Sequence, residues 1–241
     1  MTHYHGGPVT PVAAAVSLWT GRHALVSFAR TDQITVAAEV CQDFVLDNGA
    51  FSVWKQGKTV NWLDYYRFVE RWRKHPACSW ALVPDVIDGT EADNDRLLRA
   101  WPHDVFGVPV WHLHESLDRL LRLCLTWPRV AVGSSGQWAR PGTNDWWVRM
   151  AEVMTRVCDA AGSPLTKLHG LRMMNPEIFR YVPFASVDSS SIARNIGLDV
   201  YWKGQWGPKS KPVRAIVLAE RYEAFQSSAI WQGIPERRKA A

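Results

Sequence analysis

Three apolar runs in this chain each stop on a single aspartate, and that repetition constrains the fold more than any other feature. Phe184-Ala-Ser-Val-Asp188 is followed at once by Ser189, Ser190 and Ser191. Phe44-Val-Leu-Asp47 is followed by Asn48-Gly49, and Trp80-Ala-Leu-Val-Pro84 runs into Asp85. A short apolar run that meets a polar residue and a turn former reads as a buried strand with a functional group at its tip. A lone Asp there is ordinarily a helix N-cap or a turn residue. Three of them favour convergence on one pocket, because a parallel sheet delivers the C-terminal ends of its strands to the same side.

The rest of the chain repeats the alternation. Strands are expected over residues 13–19, 24–28, 44–47, 80–84, 108–114, 129–133, 165–173, 184–188 and 213–218. Helices are expected over 61–72, 91–101, 117–125, 145–160, 176–181 and 219–231. In the first of these, Trp62, Tyr65, Tyr66, Val69 and Trp72 recur at helical spacing behind Asn61, a capping residue. Residues 1–8 are polar and turn-rich, and no strand is assigned to them. Residues 236–241 are expected to form a frayed tail. About eight strand–helix units in 241 residues give a single α/β domain, residues 1–241, of the TIM-type (β/α)8 barrel class. The competing architecture is a doubly wound open sheet. It needs a glycine-rich phosphate loop after an early strand, and the sequence has none.

Composition narrows the chemistry. With 47% hydrophobic and 21% charged residues the chain is of ordinary globular type. No apolar run approaches the ~20 residues of a membrane helix, and the N-terminus lacks the charged-then-apolar pattern of a secretion signal. A cytoplasmic protein without a membrane partner is expected. Cys41, Cys78, Cys124 and Cys158 lie far apart, so neither a zinc site nor a redox pair is indicated, and no cofactor is expected. A net charge of +5 permits a polyanionic partner, and of fourteen tryptophans, an unusual count, most are expected in the core and some as flat surfaces for bases.

Carboxylates act as nucleophiles, as acid–base groups or as acceptors for a substrate's donors. Two of them suit glycosidic bonds, whose departing centre becomes oxocarbenium-like. A third fits a substrate edge that presents donors, such as the N1–H and N2 amine of guanine. The acids by themselves therefore point to glycosyl transfer or hydrolysis.

Several segments resemble one known family. Leu46-Asp47-Asn48-Gly49-Ala50-Phe51-Ser52 is similar to the Asp-Ser-Gly-Gly-Phe-Gln segment of the tRNA-guanine transglycosylases. Asp85 looks like that family's guanine-recognising Asp, and Ala131-Val-Gly133-Ser134-Ser-Gly136 is similar to its Gly-Gly loop. Ser186-Val-Asp188-Ser189 sits where the family carries its nucleophilic Asp. The motifs keep the family's order from about Phe44 to Ser191. The chain is shorter than the tRNA enzymes and lacks their clustered Cys-plus-His zinc site. It looks more like the compact phage-encoded relatives that place 7-deazaguanine bases into DNA (DpdA-like proteins).

The resemblance implies an exchange of guanine in DNA for a free 7-deazaguanine base. Asp188 would attack the anomeric carbon, and Asp47 would shuttle the proton. Asp85 would accept from the base edge, and Asn48 and Phe51 would bind the base, Phe51 by stacking. Gly133 and Ser134 would offer N–H groups to the base O6, small residues allowing close approach. His169 lies near where the family packs a Met on the base's other face. His112 and His114 alternate on one strand and so face one side; His112 is expected to contact base or sugar. Arg172 would meet a phosphate, its alternative being a surface ion pair. Residues 201–214 mix aromatics and cations, as a segment that stacks on bases and neutralises phosphates does; otherwise they are a solvated loop with Trp202 and Trp206 tucked in. Water as acceptor would make the protein a nucleoside or DNA glycosylase, tRNA could replace DNA, and a non-catalytic binder of modified bases is the remaining alternative.

Overall fold

The computed structural model describes residues 1–58, 60–198 and 207–235. Period-two patterning accounts for its sheet. In β3 (Asp43–Asp47), Phe44 and Leu46 turn outward into a buried layer shared with helices, and Val45 turns inward to a separate cluster. The same alternation holds in β1 (Thr2–Gly6), β2 (His23–Ser27) and β4 (Cys78–Leu82), which send Tyr4, Leu25, Trp80 and Leu82 inward. Short β5 (Gly107–Val108) and β6 (Val110–His112) follow, then β7 (Arg129–Gly133), β8 (Lys167–Gly170) and β9 (Ser186–Ser189).

All pairings are parallel, in the order β5-β4-β3-β2-β1-β9-β8-β7-β6. The two ends of that order, β5 and β6, are one chain segment on either side of Pro109. The proline ring removes a donor that a continuous ladder needs. β5 therefore pairs with β4, β6 pairs with β7, and the segment closes the sheet into a barrel with eight strand positions. Tyr4, Leu25, Val45, Trp80, Leu82, Val108, Val110 and Ala131 fill its interior.

Helices cover the outside. They are α1 (Val12–Trp19), α2 (Ile34–Val40), α3 (Ala50–Trp54), α4 (Trp62–Trp72), α5 (Glu91–Arg99), α6 (Leu117–Thr126), α7 (Asn144–Val157), α8 (Pro176–Phe179), α9 (Ser191–Asn195) and α10 (Lys211–Glu223). Caps fix several of their starts. Asn61 accepts from Leu63 N–H, Thr90 and Asp93 form a reciprocal capping box, and Ser116 accepts from Arg119 N–H. No helix among the described residues is long and apolar enough to cross a membrane.

Several expectations are corrected. Residues 13–19 form helix α1 rather than a strand. Three consecutive alanines favour helix, and Ala14, Ala15, Leu18 and Trp19 give it one fully buried face. The N-terminal residues, read as turn-rich, form β1, bonded to β2 on one side and β9 on the other. Its His3 and His5 are buried, which polarity alone hides. Residues 213–218 lie within α10, capped by Ser210 and with Pro212 in its first turn, and the helix ends at Glu223 rather than near 231. Helices α2, α3 and α9 were not foreseen. Of the basic and aromatic segment 201–214, residues 201–206 lie outside the described residues, as do residues 236–241 of the expected tail.

Candidate functional site

The strand tips open into one cavity of about 370 Å³, within the ~300–1,000 Å³ of small-molecule sites. Asp47, Asp85 and Asp188 all line it, from the ends of β3, β4 and β9. Asn48, Phe51, His112, Gly133, Ser134 and Arg172 join them. The register explains the convergence. Asp47 pairs with Ser27 of β2, Asp188 with Tyr4 of β1, and Gly133 with His112, so one rim of the barrel carries every group.

Asp47 is a cavity carboxyl with markedly altered acidity. Burial pushes its pKa up to about 6, and the carboxylates of Asp188 and Asp85 push the same way. The Ser27 hydroxyl and the Gly49 N–H, 3.2 Å from Oδ2, oppose them without prevailing. The result is a carboxyl half-protonated near pH ~6 and still roughly one-tenth protonated at pH 7, so both forms are available to a group that gives and takes a proton. The following turn is fixed by Gly49 at φ 78, where a Cβ would fall 2.8 Å from Ala29 N. Glycine is required on both counts.

Asp85 is held on both oxygens. Asn48 Nδ2 donates to Oδ1 at 2.7 Å, and His112 Nε2 lies 2.8 Å from Oδ2. Asn48 also donates to Val83 O at 2.8 Å and accepts from Ala50 N–H at 2.9 Å. Its amide thus ties β3, β4 and the start of α3 together, and its contact is with Asp85. With Nε2 turned to Asp85, His112 presents Nδ1 away from it, and that atom is buried with no hydrogen-bond partner among the described residues. A Cβ on Gly133 would approach Nδ1 to 3.0 Å, which is why a residue without a side chain stands there. The expected role of Gly133 needs revision in one respect. Its carbonyl accepts from Leu113 N–H at 3.0 Å, and its own N–H faces β6 in the same register, away from the cavity. Ser134 lines the cavity, and its hydroxyl accepts from Trp146 Nε1 at 3.0 Å.

Asp188 is 5% exposed and receives the Arg172 N–H at 2.8 Å on Oδ1. Arg172 reaches that position through φ 59, an uncommon conformation for a residue with a side chain. Its guanidinium carbon sits 3.9 Å from the centre of the Phe51 ring, so one face of Phe51 carries a cation. His169 departs from expectation. It is 0% exposed and lies beneath Asp188 in the barrel interior rather than on the cavity wall, where a base would touch it. His112 and His114 do share a side, their rings stacked at 5.7 Å, but His114 bonds Ser135 Oγ at 2.7 Å on the outer surface.

Some roles around the site were not foreseen. Glu115, 2% exposed, accepts from His112 N–H, Asn94 Nδ2 and Arg119 Nη1 at 2.7–2.9 Å, bracing the strand that carries His112. Lys55 and Arg194 add cations to the cavity wall. Charged residues in helices and loops read as solvated surface, and only the folded register brings them here. Among the described residues no group of three His, Cys, Asp or Glu is arranged to hold a metal ion, and all four cysteines are free thiols. No protein-family model, curated protein or solved structure matches this chain.

Proposed function

We propose that this protein is a transglycosylase that exchanges guanine in DNA for a 7-deazaguanine base through a covalent Asp188–glycosyl intermediate. The observation that carries the reading is the meeting of three strand-tip carboxylates on one cavity, one of them with its pKa raised to about 6. The ordered motifs from Asp47 to Asp188 supply the substrate class.

In this reading Asp188 attacks C1′ of the nucleotide through Oδ2, the oxygen not bonded to Arg172 N–H. The C1′–N9 bond breaks, its electron pair leaves on N9, and protonated Asp47 supplies the proton that neutralises the departing guanine. A 7-deazaguanine then gives its N9 proton to the Asp47 carboxylate and attacks C1′. The ester electron pair returns to Asp188, and both acids regain their starting states. Asp85, steadied by Asn48 and His112, keeps carboxylate lone pairs for donors on the base edge. Arg172, Arg194 and Lys55, on the cavity wall, would neutralise phosphates flanking an extruded nucleotide.

The test is to incubate the protein with DNA carrying labelled guanine and a free 7-deazaguanine. Label release, base incorporation and a protein–DNA adduct are expected, all lost in Asp188→Asn. Release that leaves an abasic site would assign hydrolysis instead, and exchange confined to tRNA would reassign the acceptor. Absence of both release and adduct would end the reading.

A further inference from the structure

A chain of polar side chains, partly buried at Arg129 and buried beyond it, runs up the barrel and ends at Asp188. Arg129, at the start of β7, lies 5.3 Å from the Trp80 ring centre and donates from Nη1 to Ser186 Oγ at 2.7 Å. Ser186 Oγ is 2.8 Å from His169 Nδ1, and Ser186 and His169 are both 0% exposed. His169 Nε2 is 3.3 Å from Asp188 Oδ1, within reach but without hydrogen-bond alignment. Tyr4 and Trp80 pack edge-on against the imidazole and hold its plane.

Nothing in the proposed reaction uses this chain, yet its order of donors and acceptors is legible. Burial disfavours the imidazolium, and Asp188 only partly offsets it, so His169 is neutral with one N–H. A carboxylate next to Nε2 favours the proton there, leaving Nδ1 to accept from the Ser186 hydroxyl. Arg129 occupies a lone pair of Ser186 Oγ and turns that hydroxyl proton toward His169. The Nε2–H is thus aimed at Oδ1, the oxygen that the Arg172 N–H also meets. Contacts of this kind are often loose before substrate binds and tighten afterwards.

We infer that His169 is a positioning residue for Asp188. Its Nε2–H, fixed by Ser186 and Arg129, joins the Arg172 N–H in holding Oδ1, so that Oδ2 is the oxygen presented to the cavity. The inference rests on Asp188 being the nucleophile of the proposed reaction, and its test has an arm that does not. In the full chain labelled with 15N at histidine, the His169 signal, identified by its loss in His169→Gln, is expected to report the neutral Nε2–H tautomer. Asp188→Asn should make His169 still harder to protonate, and Ser186→Ala should weaken the Nε2–H preference. An Nδ1–H tautomer, or a signal indifferent to Asp188→Asn, overturns the inference.

The second arm measures adduct formation. His169→Gln keeps an N–H near the Nε2 position and should stay within about threefold of wild type. His169→Leu removes it and should lose roughly tenfold or more, the worth of one hydrogen bond to a charged group. Equal losses in both, with both folded, overturn the inference. If His169→Leu does not fold, Ser186→Ala replaces it, with a smaller loss expected in step with its tautomer change and no loss counting against. Should wild type form no adduct, the reaction reading fails while the tautomer measurements still decide the role of His169.

Discussion

Asp47 shows how one residue carries both a functional and an energetic signature. Its folded pKa, about 6, lies above the ordinary value of 3.8, so the folded protein binds this proton more tightly than the unfolded chain. The stability this contributes is complete below pH ~4 and is lost as pH rises through ~6. Ionising Asp47 in place at pH 8 therefore strains the fold, by on the order of 3 kcal/mol. Asp47→Asn should melt higher than wild type at pH 8, with the gap closing toward pH 4, while the proposed base exchange should fall by two orders of magnitude or more, in the range ~10²–10⁴ of acid–base catalysis. Paired thermal melts at the two pH values check it; a gap independent of pH would mean that the carboxyl does not titrate as described.

Two connections between elements make separate predictions. The turn from β3 to α3 depends on Gly49, whose φ of 78 and closeness to Ala29 N exclude a side chain. Gly49→Ala should cost about 1–3 kcal/mol in denaturant unfolding and weaken activity further, because the same turn aims Asp47 and Asn48. A neutral result would show that the turn relaxes freely. At the other end of the chain, Glu223 of α10 lies 2.8 Å from His5 Nε2 of β1 and accepts from Arg22 Nε at 2.9 Å. Burial raises the Glu223 pKa, but the bonds from His5 and Arg22 together outweigh it and the net shift is downward. A depressed carboxylate contributes stability above its unfolded pKa and loses it as pH falls through the folded one. Glu223→Ala should destabilise by about 1–3 kcal/mol at pH 7, since it leaves 1%-exposed His5 short of a partner, and by less in acid. Urea titrations at pH 7 and pH 4 separate the outcomes; equal losses would assign the effect to packing alone.

For the whole molecule, the barrel sets an acidic floor of strand-tip carboxylates beneath a mouth with Lys55, Arg172 and Arg194 on its wall. Under the proposed function a base would meet the floor and a phosphodiester the rim. If DNA enters this way, log affinity should fall linearly with log salt, and Lys55→Ala with Arg194→Ala should lower that slope by about 1–2 with any sequence. Fluorescence anisotropy over a salt series measures it, and an unchanged slope would place the phosphates elsewhere.

How much of this was written in the sequence differs by region. The strands that end on Asp47, Asp85 and Asp188 were legible because an apolar run, an acid and a turn residue are local signals, and the cap Asn61 worked the same way. Helix α1 was misread because a short run of buried apolar residues has no period that separates helix from strand. Strand β1 was missed because His3, Tyr4 and His5 look solvated until β2, β9 and the surrounding helices bury them. The sequence alone determined the alternation, the barrel class and the residue types at the strand tips, since these follow from periodicity and turn chemistry within a few residues. Tertiary structure alone decided that the three tips share a cavity, that His169 lies below Asp188 rather than beside a base, and that Arg129 and Ser186 stand behind it. Those facts depend on which strands pair, and in what register, across separations of tens of residues that no local pattern encodes.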